Sequence, residues 1–342
     1  MMSRLRSSGG ALISALFITA ISAMIATALA VQVQLLIHAA RLASGADHRY
    51  LDLQLMQWVA RQRIADYAAQ WIMSSPAGKP PTSAVPKNIT PLNPKLPNIT
   101  LEDDALSGVI SDEQGKYNLN NLIHTENQAQ FATLLRAVIP DVDQQVAIAI
   151  AKSITAWMTD GADNAYYLSQ QPPYQSSQRQ LTNITELRLI AGVTPRIYAA
   201  LTPYVTALPV PKPVKKNLLQ QSSPQAPPTQ QQAKVLAVNI NSVSKQVLIA
   251  TNPTLTPEQA ESLVSCRLRF GGAVNSLSQF ITTCAQPLGI SQLNNLDVKS
   301  SYFLVQSQLV STGHHWDLNS LVVTRQRKNN TLSVDIVWQS FE

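Results

Sequence analysis

The chain has 342 residues, 45% of them hydrophobic, which is enough for two or three domains with real cores. Only 13% are charged, well under the roughly 25% of a typical soluble domain, while Pro, Gln, Asn, Ser and Thr are abundant, the profile of a weakly charged exported protein. The formal net charge is +6, but Arg4 and Arg6 supply part of it at the extreme N-terminus, so charge alone makes no case for nucleic acid. There is no P-loop, no HExxH and no GxSxG elbow, so nothing in the sequence supports an enzyme.

The first element follows a short basic leader that ends at Gly9-Gly10. Ser7 to Ile37 carries no charged residue, and Ala11–Val31 is apolar apart from Ser14, Thr19, Ser22 and Thr27. As a helix this run rises about 31 Å, enough to cross a bilayer. A secretory signal with Ala28-Leu29-Ala30 as its cleavage site is the alternative, but its apolar region would be shorter. Arg4 and Arg6 place the N-terminus in the cytoplasm and the bulk of the chain outside it. Leu53, Met56, Ala60, Ile64, Tyr67 and Trp71 then recur at helical spacing, which predicts an amphipathic stem to about Met73, with a kink at Gly45 and a stop at Ser75-Pro76.

Tyr117-Asn118-Leu119-Asn120 alternates like a short strand, with Asn120 or Asn121 as cap of the helix that follows, and Val238-Asn239-Ile240-Asn241-Ser242 repeats the form before a helix ending near Ala250. Between them the periodicity predicts helices over Gln128–Val138 and Asp143–Met158, with Pro140 and Asp141 marking a start. Thr182 or Asn183 opens a capping box with a helical turn, and Pro195 begins a helix to Thr202. Residues 209–235 are rich in Pro, Gln and Lys and read as a linker. Val243–Ala250, Thr256–Phe270 and Leu277–Ile281 form a second helical unit. Strands over Tyr302–Val310, Leu318–Arg325 and Leu332–Trp338, with Asn329-Asn330 as the last turn, close the chain.

A basic leader, a glycine, a membrane helix and an amphipathic continuation form the N-terminal plan of type IV pilin-like proteins, which this sequence resembles. The resemblance implies cleavage by a prepilin peptidase between Gly10 and Ala11. Such proteins usually carry Glu at the fifth mature position; here it is Ala15, which suits a subunit with no neighbour above it, since a carboxylate in lipid needs a partner. Further on, Gly115-Lys116-Tyr117-Asn118-Leu119-Asn120-Asn121-Leu122, Ala165-Tyr166-Tyr167-Leu168 with Pro172-Pro173-Tyr174, Ile184 to Val193, and Leu201-Thr202-Pro203-Tyr204-Val205 follow one another. That ordered set is similar to the K-type minor pseudopilins of type II secretion systems.

The resemblance implies an α+β fold: a type IV pilin-like N-terminal helix plus a small antiparallel sheet, with a large, mostly α-helical insertion containing helix-hairpin-helix or SAM-like units. Its expected division is a leader at 1–10, a transmembrane helix at 11–33, a discontinuous pilin domain at 34–124 plus 300–342, helical units at 125–208 and 236–299, and the linker between them. It implies a single-pass protein of the bacterial inner membrane with a periplasmic bulk, partnered by I- and J-type minor pseudopilins, the H type and the major pseudopilin. It also implies calcium, held in the loop after the tryptophan helix, where Asp160, Asp163 and Asn164 offer three oxygen-bearing side chains. The same residue types also build Asx turns and helix caps.

Two further readings come from the residues themselves. Cys266 and Cys284 are the only cysteines; in an oxidising periplasm one bridge is the economical arrangement, two separate buried thiols the alternative. The second helical unit resembles a helix-hairpin-helix module, which would make the chain an inner-membrane DNA-uptake receptor. Its turn, Asn252-Pro253-Thr254-Leu255-Thr256-Pro257, has no glycine and two prolines that remove N–H donors from any phosphate nest, so no nucleic acid is expected. His314-His315-Trp316-Asp317 carries ligand-type side chains, but neighbours on a strand point to opposite faces.

Overall fold

The computed structural model describes residues 10–72, 89–101, 104–210, 235–271, 273–311, 313–327 and 331–341. The leader, the stem's expected stop at Ser75-Pro76, most of the 209–235 linker and the Asn329-Asn330 turn lie outside them.

One helix, α1 (Gly10–Ile72), carries both the apolar run and the stem. It remains helical through Gly45, where the sequence predicts a kink; a glycine in a helix costs about 1 kcal/mol against alanine but keeps its backbone hydrogen bond, so alone it need not break the ladder. Ile13–Ile37 has a mean hydropathy of 2.1 and none of it is buried. The helix changes character beyond that run. Leu53, Met56, Ala60 and Ile64 are fully buried on one face, against the sheet.

That sheet has five antiparallel strands in the order β1 (Ile99–Leu101), β2 (Asp104–Asp112), β7 (Tyr302–Ser311), β8 (His314–Gln326) and β9 (Leu332–Phe341). β2 lies beside β7, with Asp104 opposite Ser311 and Asp112 opposite Phe303, so the chain leaves the sheet after Asp112 and returns at Tyr302. The antiparallel sheet and long helix agree with the expected α+β class. β1 and β2 fall where the sequence predicts no strand, and β8 starts at His314, earlier than the predicted Leu318. The stem crosses β2 at Gly108, where an added Cβ would lie 2.7 Å from Leu96 Cδ1 and 3.0 Å from Met56 Cγ and the Gln306 carbonyl. Gln57, buried on α1, donates its Nε2 to the Leu318 carbonyl at 2.9 Å and to Ser307 Oγ at 3.0 Å, pinning helix to sheet.

The inserted region holds two units. The first runs from β3 (Tyr117–Asn118) through α2 (Gln128–Val138), α3 (Gln144–Met158), α4 (Ala165–Leu168) and α5 (Pro195–Leu201) to β4 (Val205–Thr206), which pairs with β3 in parallel. The second runs from β5 (Val238–Asn239) through α6 (Lys245–Thr251), α7 (Pro257–Cys266) and α8 (Leu277–Phe280) to β6 (Leu296–Asp297), again a parallel pair. α2 packs on α6.

The two Asn-x-Asn segments do the same work in each unit. The cap of the 3₁₀ turn Leu119–Ile123 is Asn118, accepting from Asn120 N, and not Asn120 or Asn121 as predicted. Asn120 is fully buried instead: its Oδ1 accepts from Leu181 N at 2.8 Å, and its Nδ2 donates to the Leu181 and Leu208 carbonyls. Asn241 repeats this with Val274 N at 2.6 Å and the Val274 and Val298 carbonyls. Two residues after each clamped residue, Asn183 and Ser276 cap the next helical turn. The predicted starts shift elsewhere too: Asp143 caps α3, while Asp141 is ion-paired with Arg196 at 2.9 Å, which holds its carboxyl below the usual range.

Candidate functional site

Two sets of residues stand out, the exposed face of α1 and the polar junction of sheet and insertion. Along the apolar run the side chains stand exposed, Leu16, Phe17 and Ala15 among them, and Ala15 offers no carboxylate. On the stem, Leu51, Leu55 and Trp58 lie at i, i+4 and i+7, a spacing that puts them on one helix face. Leu51 and Trp58 are each 62% exposed, while Leu53, Met56 and Ala60 of the opposite face are buried. An apolar stripe on a water-facing helix marks an interaction surface.

At the junction, three consecutive side chains tie the two units to the sheet. Asp112, the last residue of β2, accepts from Ser242 Oγ at 2.5 Å, Ser300 Oγ at 2.7 Å, Asn239 Nδ2 at 2.8 Å and Gln114 N at 2.9 Å. Burial pushes its carboxyl above the usual range, opposed by those hydrogen bonds. Glu113 pairs with Lys116 at 2.6 Å and accepts from Thr206 Oγ at 2.7 Å, which reaches the first unit. Gln114 accepts from Tyr302 N and donates to the Ala237 carbonyl. Gly115 is held to glycine by the second unit, since an added Cβ would meet Ser242 Oγ at 2.5 Å. The sequence shows these residues only as polar loop; their burial needs the second unit in place.

The remaining residues singled out from sequence fall as follows. Gly10 and Ala11 begin α1. Cys266, at the end of α7, and Cys284 are joined in a disulfide with Cα atoms 5.9 Å apart. Trp157, Tyr167 and Tyr174 from separate motif pieces meet as one aromatic cluster, with Trp157 Nε1 donating to Glu186 Oε2 and the Tyr174 hydroxyl to the Leu189 carbonyl.

Asp160, Asp163 and Asn164 share the loop after α3, where Asp163 Oδ1 accepts from Ala165 N at 2.9 Å and Asn164 Oδ1 from Ser176 N at 2.8 Å. Calcium takes six to eight oxygens, and among the described residues no group of three or more His, Cys, Asp or Glu side chains lies together. Asp163 and Asn164 thus staple the turn, and Asp160 is exposed beside them. Between α6 and α7, Asn252 exchanges hydrogen bonds with the backbone of Asn294, through Oδ1 at 2.6 Å and Nδ2 at 3.4 Å. That turn is therefore engaged within the unit.

A long N-terminal helix, apolar at its start and packed on an antiparallel sheet further on, defines the pilin-like class. Residues 115–210 match the family described as type II secretion system (T2SS), protein K. Type II secretion system protein K of Aeromonas hydrophila is 29% identical over 241 residues, covering 59% of this chain and 62% of that protein; the Pseudomonas aeruginosa protein is 28% identical over 233 residues, covering 64% and 60%. The match thus spans under two thirds of the length of these relatives. Among solved structures, a chain in the crystal structure of the GspK–GspI–GspJ complex from the enterotoxigenic Escherichia coli type 2 secretion system superposes with a TM-score of 0.56. Its identity is 20%, over 87% of this chain and 99% of that one, which speaks to the fold. Over these segments the chain is similar to type II secretion system protein K.

Proposed function

We propose that the chain is a structural, non-enzymatic minor pseudopilin that caps the tip of the periplasmic pseudopilus of a type II secretion system. The observation that carries this reading is the exposed apolar surface of α1, over Ile13–Ile37 and again at Leu51, Leu55 and Trp58, in a fold like that of a chain from the GspK–GspI–GspJ complex. In this reading Ile13–Ile37 sits in the bacterial inner membrane, the leader is cytoplasmic and is cut between Gly10 and Ala11, and the sheet with its insertion stands in the periplasm. The stripe receives the stem helices of I- and J-type pseudopilins. Membrane-extracted full-length chain should co-purify with both, and Leu55→Asp with Trp58→Asp should lose them while keeping the fold by circular dichroism. Retention of both partners by that variant would overturn the reading. Calcium at Asp160, Asp163 and Asn164 forms no part of it.

A further inference from the structure

The hairpin between β7 and β8 carries His314 and His315, both exposed and neither used in the packing or partner surfaces above, followed by Trp316, which is half-buried against the core. Its place relative to the apolar run gives it one. β8 climbs alongside α1 in the same sense: Trp316 lies under Arg49, whose guanidinium carbon is 4.4 Å from the ring centroid, Leu318 accepts from Gln57, and Val334, paired with Thr324, accepts from Arg61. The hairpin therefore points down the helix, toward Ile37.

The reach follows from two rises. Arg49 stands about 18 Å along the helix axis beyond Ile37. Gly313, three residues before Trp316, projects about 10 Å back along the strand. The exposed tip thus ends about 8 Å past the last residue of the apolar run. The headgroup layer on one side of a bilayer is about 5–7 Å thick. A modest helix tilt closes what remains.

Its chemistry fits that layer as well. The Arg49 guanidinium over the Trp316 indole fixes the hairpin to the stem, with the His314 ring tilted beside the indole, 6.0 Å between centroids. Tyr50, 42% exposed, sits 6.0 Å from Phe341, 50% exposed, beside it. Aromatic rings with polar edges collect at membrane interfaces, and imidazole N–H groups donate to phosphate oxygens. Asp47, Asp104 and Asp317 are also at this end of the sheet, so the surface is no simple basic patch and its fit is to the interface through rings and hydrogen bonds.

We propose that the β7–β8 hairpin, His314–Trp316 locked by Arg49, rests on the phospholipid headgroups of the bilayer that α1 spans and sets the orientation of the head above it. The proposal rests on the reading that Ile13–Ile37 is in a membrane. The test uses the full-length chain in nanodiscs of phosphatidylethanolamine and phosphatidylglycerol, compared with micelles of a sugar-headgroup detergent. Amide exchange across residues 313–317 should slow about fivefold in the discs, the factor one modest contact supplies. Exchange across 124–127, in the first helical unit, should not change. His314→Ser with His315→Ser, both exposed and so harmless to folding, should abolish the slowing, and Arg49→Ala should weaken it. A chain that enters the discs but exchanges equally in both settings overturns the proposal and leaves the anchor standing. A chain that stays out of the discs overturns both. Equal slowing by inorganic phosphate in detergent would show a free-anion site and would also overturn it.

Discussion

Gly108 shows how a single missing side chain decides where the stem lies. α1 crosses β2 so closely that a Cβ there would press on Leu96, Met56 and a backbone carbonyl, and the carbonyl cannot swing away. Gly108→Val should destabilise the protein by about 1–3 kcal/mol, the usual cost of overpacking, read as a lower midpoint in urea; an unchanged midpoint would mean the helix sits further off. Asp112 makes a second case, through charge. Its folded carboxyl lies above its ordinary 3.8, so on raising the pH the unfolded chain ionises first and the folded chain holds the extra proton. Stability should therefore fall as pH rises from about 3.8 to the raised folded value, then level off. Asp112→Asn should be flat in that window, whatever its offset from the natural protein, and thermal melts at closely spaced pH values would show parallel curves if the inference were wrong. Neither residue is legible as special in the sequence. Gly108 reads as an ordinary strand-breaking glycine until the helix is laid across it, and Asp112 as a turn residue until Asn239 and Ser300 arrive from far along the chain.

Elements were legible where a local pattern sufficed. The stem face, Leu53 to Ile64, shows in helical spacing alone, and α7 shows in Thr256-Pro257 with Gln259, which form a capping box. β1 and β2 escape a local reading because Gly108 stands between Leu106 and Ile110 on the buried face, and because the pairing partner, β7, follows the whole insertion. The caps were misplaced by one or two residues because several asparagines compete, and only the fold decides that Asn118 caps while Asn120 clamps Leu181 and Leu208. Cys266 and Cys284, 18 residues apart, join the end of α7 to the turn after α8. On the chain-entropy estimate this loop is worth about 3 kcal/mol. Cys266→Ser with Cys284→Ser should lose about that much in denaturant, and unreduced tryptic digests of the natural protein should contain the linked peptides; two alkylatable thiols would refute the bridge.

At the scale of the whole molecule, the insertion turns a small helix-and-sheet unit into one with a bulky head, tied to the sheet by Asp112 and Glu113 and held together by the packing of α2 on α6. A filament of pilin-like subunits grows by placing each stem against the exposed stripe of another, with the fifth-position carboxylate meeting a neighbour's amino terminus. In the proposed tip role Ala15 supplies no carboxylate for a neighbour's amine, and the two inserted units fill the space that a further copy of the head would need. One stem face, Leu51, Leu55 and Trp58, remains open for partners. The full-length chain mixed with I- and J-type pseudopilins should thus give a discrete complex holding one copy of this chain, measured by native mass spectrometry, and alone it should stay short of filaments in electron micrographs. Replacing Ala15 by Glu should not convert it into a polymer, because the head still blocks stacking. Long homopolymers, or indifference to both partners combined with duplex DNA binding that weakens steeply with salt, would overturn the tip assignment, since the first requires room above the head and the second requires a phosphate nest where Asn252 and Asn294 close the turn.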